Sequence, residues 1–162
     1  MVALPHQAHN SITDFRESLR HDRLALEHKF LEDGKTALLL KSHSKLIDGY
    51  LCRIWKQLSM PENIALIAVG GYGRGELYPK SDVDLLILLE IDPDEALQQK
   101  LQKLIGILWD IGLEVGHSIR TIAHCIDEST DITVQTNLLE TRLLSGSTKI
   151  FDALHNTVRQ HL

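Results

Sequence analysis

Residues 64–90, IALIAVGGYGRGELYPKSDVDLLILLE, are the stretch around which the chain is organised. The stretch reads in three parts. An apolar run, Ile64 to Val69, is long enough for a buried strand and too short for a helix. A glycine-dense turn follows, Gly70-Gly71-Tyr72-Gly73-Arg74-Gly75. A second apolar run, Val83 to Leu89, is entered through two aspartates, Asp82 and Asp84. Strand side chains alternate between faces, so Asp82 and Asp84 point the same way. Their Cα atoms are expected roughly 6.6 Å apart, within reach of one shared metal ion or a pair of ions. Two such carboxylates repel each other and lose hydration, an arrangement that calls for a compensating cation. Magnesium takes oxygen ligands and keeps water and substrate phosphates in its shell. Glycines let backbone N–H groups approach an anion closely. A phosphate cradle beside a carboxylate pair is the equipment of phosphoryl or nucleotidyl transfer.

The turn is not a Walker loop, because no Gly-Lys-Ser/Thr follows it. It is not a dinucleotide fingerprint either: Gly71 and Gly73 fit, but Glu76 stands at the third glycine position. Gly70 and Gly71 are the candidates for contact with phosphate. Arg74 and Lys80 are candidate partners for triphosphate oxygens, or else exposed loop cations. Ser81 either contacts a phosphate or fixes the turn before Asp82; the turn reading is preferred.

Working outward, residues 1–12 read as a loose terminus. A helix is expected from residue 13 to about 31, and a second over about 35–58, where Ile47, Tyr50, Leu51 and Ile54 recur at helical steps. The strand 64–69 is apolar on both faces and should be central. A short helix is expected at 73–77. Asp92-Pro93-Asp94-Glu95 predicts a helix start with Asp92 as N-cap. Gly112 is its expected stop. Residues 113–122 are the next strand candidate, followed by helices at about 133–144 and 148–161. The fold class is α/β (α+β): a small mixed sheet whose first two strands carry the site, with N-terminal and C-terminal helices packed around it. The expected organisation is a helical segment over 1–60, a core over 61–125, and C-terminal helices of the same domain over 126–162.

Composition bounds the function. The chain has 162 residues, 43% hydrophobic and 24% charged, ordinary proportions for a globular domain with a real core. A net charge of −5 argues against a nonspecific nucleic-acid surface. Cys52 and Cys125 form no metal or disulfide pattern, which reads as cytosolic. No apolar run reaches the length of a membrane span. His6-x-x-His9 and His21-Asp22 are assigned no role.

Gly-Gly, ten intervening residues, then Asp-x-Asp between apolar neighbours is similar to the signature of the polymerase-β-type nucleotidyltransferase superfamily. AVGGYGRGELYPKSDVDLLIL, LWDIGLEVGHSIRT and DITVQTNLLETRLLSG, in that order, resemble one family within it. That family is the bifunctional uridylyltransferase/uridylyl-removing enzymes acting on the nitrogen-regulatory protein PII. The resemblance implies UTP as donor, a PII tyrosine hydroxyl as acceptor, pyrophosphate as leaving group, and Mg2+ or Mn2+ as metal. It implies Asp82 and Asp84 as metal ligands and catalytic residues. The superfamily's third carboxylate, on a later strand between apolar neighbours, matches Glu114 in Leu113-Glu114-Val115; His117 and Arg120 are weaker candidates on the same segment. In that family an HD domain performs uridylyl removal, so no removal is expected of this chain. Two alternatives stay open: a noncatalytic or incomplete nucleotide-binding module, and an adenylyltransferase relative acting on another protein or a small molecule.

Overall fold

The computed structural model describes residues 11–128 and 132–161. The loose terminus expected at residues 1–12 and the pair His6 and His9 lie almost wholly outside that range. Ser11 is within it, and its side chain caps the first helix by accepting from Asp14 N–H.

Helix α1, Ile12–Asp33, ends at Gly34, whose φ of 65° is the left-handed conformation that lets its N–H reach Phe30 O. Helix α2, Thr36–Gln57, turns back on it. Of the apolar residues of α1, Phe15 and Leu19 are buried, whereas Leu24 is exposed. Helix α2 buries Ile47, Leu51 and Ile54 almost completely. Each such side chain contributes about 1.5–3 kcal/mol, and Ile54→Ala would cost about 2–5 kcal/mol.

Strand β1, Ala65–Ala68, leads into helix α3, Gly70–Gly73, and then strand β2, Val83–Leu89. The short helix therefore lies three residues earlier than expected. Gly73, Arg74 and Glu76 N–H groups bond back to Val69, Gly70 and Gly71 carbonyls, and the chain is already leaving the turn by Gly75. Helix α4, Glu95–Asp110, is capped by Asp94, which accepts from Leu97 N–H at 2.8 Å. Asp92 was the expected cap, but Pro93 precedes the helix instead of opening it. Gly112, with φ 98°, follows α4 as expected.

Strand β3, Val115–Thr121, is followed by α5, Ile122–Asp127, and α6, Ile132–Leu139. The helix expected to run to 144 stops at Leu139. Arg142–Gly146 forms strand β4 instead, and α7, Thr148–His161, closes the described chain.

The sheet order is β3-β2-β1-β4. β1 pairs antiparallel with β2 and β4, and β2 pairs parallel with β3, so the sheet is mixed and β1 is internal. One face, with Leu66, Val83, Leu85, Ile87 and Leu89, packs on α1, α2 and α4. The other, with Ala65, Ile67, Leu86 and Leu88, packs on α5, α6 and α7. Burial on both faces explains why β1 and β2 read as continuous apolar runs. No helix among the described residues is long and apolar enough to cross a membrane.

Candidate active site

The single break in the burial of β2 is Asp84. Strand alternation puts it on the face of Leu86 and Leu88, where it stays exposed. Asp82 lies one step outside the strand and is also exposed. Partial burial, and then the charge of Asp82, push the Asp84 carboxyl above the usual carboxylate range. The donor set is all oxygen and carries excess negative charge, which suits a hard divalent cation.

Asp84 pairs with Gly116 of β3 in the parallel register. A Cβ at residue 116 would sit 2.6 Å from Asp84 Oδ1. The absence of a side chain there makes the space that the carboxylate occupies. The register places Ser118 and Arg120 on the Asp84 face and His117, opposite Leu85, on the other. Arg120 pairs with Glu128, four residues or about 13 Å along the strand from Gly116. Glu114 is exposed just before β3, its carbonyl accepting from Val83 N–H at 2.8 Å. That bond sets it next to Asp82 in register. Among the described residues, however, no group of three or more acids, histidines or cysteines stands close enough to hold a metal.

The glycine turn lies against the same strand end, because Val69 N–H donates to Asp84 O at 3.1 Å. Gly70 has φ 61°, a conformation that any side chain would strain. The N–H groups of Gly70, Gly71 and Tyr72, at the open start of α3, have no partner among the described residues. Arg74 faces two carboxylates, Glu140 at 2.5 Å and Glu76 at 3.6 Å. Lys80 is exposed and makes no ion pair with a described residue. Ser81 N–H donates to Tyr78 O at 3.0 Å, so its backbone closes the turn before Asp82.

Sequence reading missed a polar cluster beneath the turn. Tyr72, 1% exposed, donates its hydroxyl to Asp48 Oδ1 at 2.5 Å. Arg142 binds Asp48 Oδ2 at 2.5 Å and Tyr72 O at 2.9 Å. Arg142 stands in the third quoted block, the only sequence signal that marked it. His43 is a second missed residue, 1% exposed. Its Nδ1–H donates to Leu77 O and its Nε2 accepts from Arg23, which ties the far end of the loop to α2. Burial pushes its pKa down, which fits the neutral ring these bonds require. His21-Asp22 lies on exposed α1, and Asp22 Oδ2 accepts from Tyr50 at 2.7 Å, a packing role.

The family described as "Nucleotidyltransferase domain" matches residues 50–141. The chain is similar to the bifunctional uridylyltransferase/uridylyl-removing enzyme of Aromatoleum aromaticum, 47% identical over 143 residues, covering 88% of this chain and 17% of that enzyme. The enzyme of the same description from Nitrosospira multiformis is 46% identical over 144 residues, covering 85% and 16%. The chain thus spans about a sixth of the length of these relatives, shares of 17% and 16%. Among solved structures, the toxin–antitoxin MntA–HpeT aligns with a TM-score of 0.45 at 14% identity, covering 70% of this chain and 84% of that one. On the family match the chain belongs to the nucleotidyltransferase domain family, and over most of its length it is similar to a part of these two bifunctional uridylyltransferase/uridylyl-removing enzymes.

Proposed function

We propose that this chain transfers a uridylyl group from UTP to a tyrosine hydroxyl of PII, releasing pyrophosphate, as part of cytoplasmic nitrogen-status signalling. The observation that carries the reading is the Asp82/Asp84 pair set beside turn amides that have no partner among the described residues, in a chain 47% identical over 143 residues to a bifunctional uridylyltransferase/uridylyl-removing enzyme. Uridylyl removal is not assigned to this region.

In this reading Asp82 and Asp84 would hold Mg2+ or Mn2+ together with substrate phosphates and water, and Glu114, beside Asp82 in register but not gathered with the pair, would act as the third acid on drawing closer. A cation held by this pair would lower the pKa of the acceptor hydroxyl and neutralise charge gathering on the triphosphate. The amides of Gly70 and Gly71 take phosphate oxygens. They are already oriented, so no reorganisation is needed as charge develops on the leaving pyrophosphate. Lys80, without an ion partner among the described residues, supplies a mobile positive charge at the loop; Arg74, braced between Glu76 and Glu140, supplies a fixed one. Ser81 sets the chain entering Asp82.

The test is to incubate the chain with Mg2+, PII and each nucleoside triphosphate, and weigh PII as an intact protein. A uridylyl-sized gain with UTP alone, lost in Asp82→Asn/Asp84→Asn, is the expected result. An adenylyl-sized gain with ATP would overturn the donor. No gain, with Mg2+-dependent UTP binding by calorimetry, would replace transfer by binding. Unchanged transfer in the double variant would remove the aspartates from the chemistry.

A further inference from the structure

We propose that Arg142 and Asp48 are positioning residues for nucleotide binding, holding the glycine turn in place against Asp84 by gripping Tyr72 from both ends. The proposal rests on the reading that the turn contacts the triphosphate.

Three segments distant in sequence meet here. Asp48 comes from the middle of α2, Tyr72 from the turn, and Arg142 from the first residue of β4. Asp48 Oδ1 accepts from Tyr72 Oη at 2.5 Å and from Arg142 Nη2 at 3.2 Å, while Oδ2 accepts from Arg142 Nη1 at 2.5 Å. The guanidinium is therefore held as a two-pronged fork. Its Nη2 also donates to Tyr72 O at 2.9 Å and lies 3.2 Å from Ser44 Oγ. Its carbon stands 5.2 Å from the centre of the Tyr72 ring. The hydroxyl, the ring and the backbone carbonyl of Tyr72 are thus all engaged by one ion pair. The same carbonyl accepts Gly75 N–H at 3.0 Å, closing the turn.

The neighbouring residue before this strand adds a second grip. Glu140 binds Arg74, and its carbonyl lies against Gly73 so closely that no Cβ fits there. The turn is consequently clasped between α2 and the 140–142 segment on one side. On the other, Val69 N–H ties it to Asp84.

Stability alone is a poor reason for this arrangement. A half-buried ion pair offers little over well-packed apolar side chains. This one also leaves Arg142 Nε buried with no hydrogen-bond partner among the described residues. What the pair does supply is one fixed conformation for a stretch containing Gly70, Gly71, Gly73 and Gly75, which would otherwise have the most backbone freedom in the chain. A lysine cannot reproduce the effect, because an ammonium has no planar fork to join a carboxylate and a carbonyl.

The experiment compares wild type with Arg142→Lys and Asp48→Asn, and with Tyr72→Phe, which removes only the hydroxyl. Amide NMR without nucleotide reads the turn directly, and calorimetry reads Mg2+–UTP binding. We expect folded variants in which the Gly70 and Gly71 amide signals move or broaden. Their UTP Kd should rise about tenfold at unchanged stoichiometry, with a smaller rise for Tyr72→Phe. A merely structural role would leave Kd as it is and lower the stoichiometry, since fewer molecules would be folded; that result overturns the proposal. So do turn amides and Kd that match wild type. Failure of wild type itself to bind UTP would instead strike the nucleotide reading, and the amide signals alone would then decide whether the clamp fixes the turn.

Discussion

Gly116→Ala separates the site from the fold. An added Cβ would lie 2.6 Å from Asp84 Oδ1. Ordinary contact requires about 3.4 Å or more, so the carboxylate must retreat by nearly 1 Å or turn about its Cα–Cβ bond. Among the described residues outside its chain neighbours, nothing else stands within 4 Å of the new methyl except the carbon of the same carboxylate, at 3.8 Å. Gly116 does not have positive φ, so alanine is conformationally acceptable. Loss of glycine's unfolded-state freedom should stabilise by about 0.4–1 kcal/mol. The displaced Asp84 rotamer should cost about 0.5–1.5 kcal/mol. These nearly cancel, so Tm should stay within about 5 °C of wild type. Activity should not be spared, because a 1 Å misplacement of a reacting or coordinating group costs about 100-fold. On the proposed transfer reaction, pyrophosphate release with saturating UTP and PII measures turnover, and circular dichroism measures Tm. Turnover within threefold of wild type would refute the idea that this carboxylate's position matters. A Tm loss well beyond the expected band would show that the methyl strains the sheet and not the site.

Three further outcomes follow from the titrating groups and thiols. The Asp84 carboxyl is raised above its unfolded value, so the folded apo chain binds that proton more tightly than the unfolded chain. Asp84 therefore destabilises the apo fold above its folded pKa, and this penalty disappears as pH falls below the unfolded value near 3.8. The Tm advantage of Asp84→Asn at pH 7 should shrink as pH is lowered to 4, and a constant difference would contradict the shift. His43 is lowered, so the unfolded chain takes its proton first, and stability present above the unfolded pKa of 6.5 is lost as pH falls through the folded value. Protonation would also set an imidazolium against Arg23; wild type should lose Tm between pH 7 and 5 more steeply than His43→Gln, and parallel profiles would count against the buried neutral ring. Burial pushes the Cys125 thiol up to about 11, so it should resist iodoacetamide at pH 8 until the protein unfolds, and rapid native labelling would show an open α5.

Much of the architecture was legible because local pattern and tertiary environment agree. The runs 64–69 and 83–89 became internal strands, since a strand buried on both faces has no other composition available to it. Asp82 and Asp84 were visible because two charges interrupt an apolar run at a spacing of two. Helix α2 followed from its stripe and α4 from its start and stop signals, although the cap of α4 moved from Asp92 to Asp94, where the side chain actually reaches Leu97 N–H.

The remainder depends on partners far away in sequence. Residues 142–146 carry leucines at a spacing compatible with continuing α6, and only the free edge of β1, some eighty positions earlier, makes them a strand. A strand's hydrogen bonds belong to its neighbour, so local propensity cannot place it. The turn helix began at Gly70 because Val69 and Gly70 carbonyls receive the following amides, against glycine's own preference. Gly116 looked like an ordinary strand glycine until the parallel register set it opposite Asp84. Asp48 and Arg142 are separated by most of the chain and show no shared pattern; their ion pair exists because α2 and β4 pack on the same turn. Residue order alone determined which groups carry charge and which runs must be buried. The tertiary structure decided which charges meet, because pairing is set by the distance between atoms in space and not by their separation along the chain.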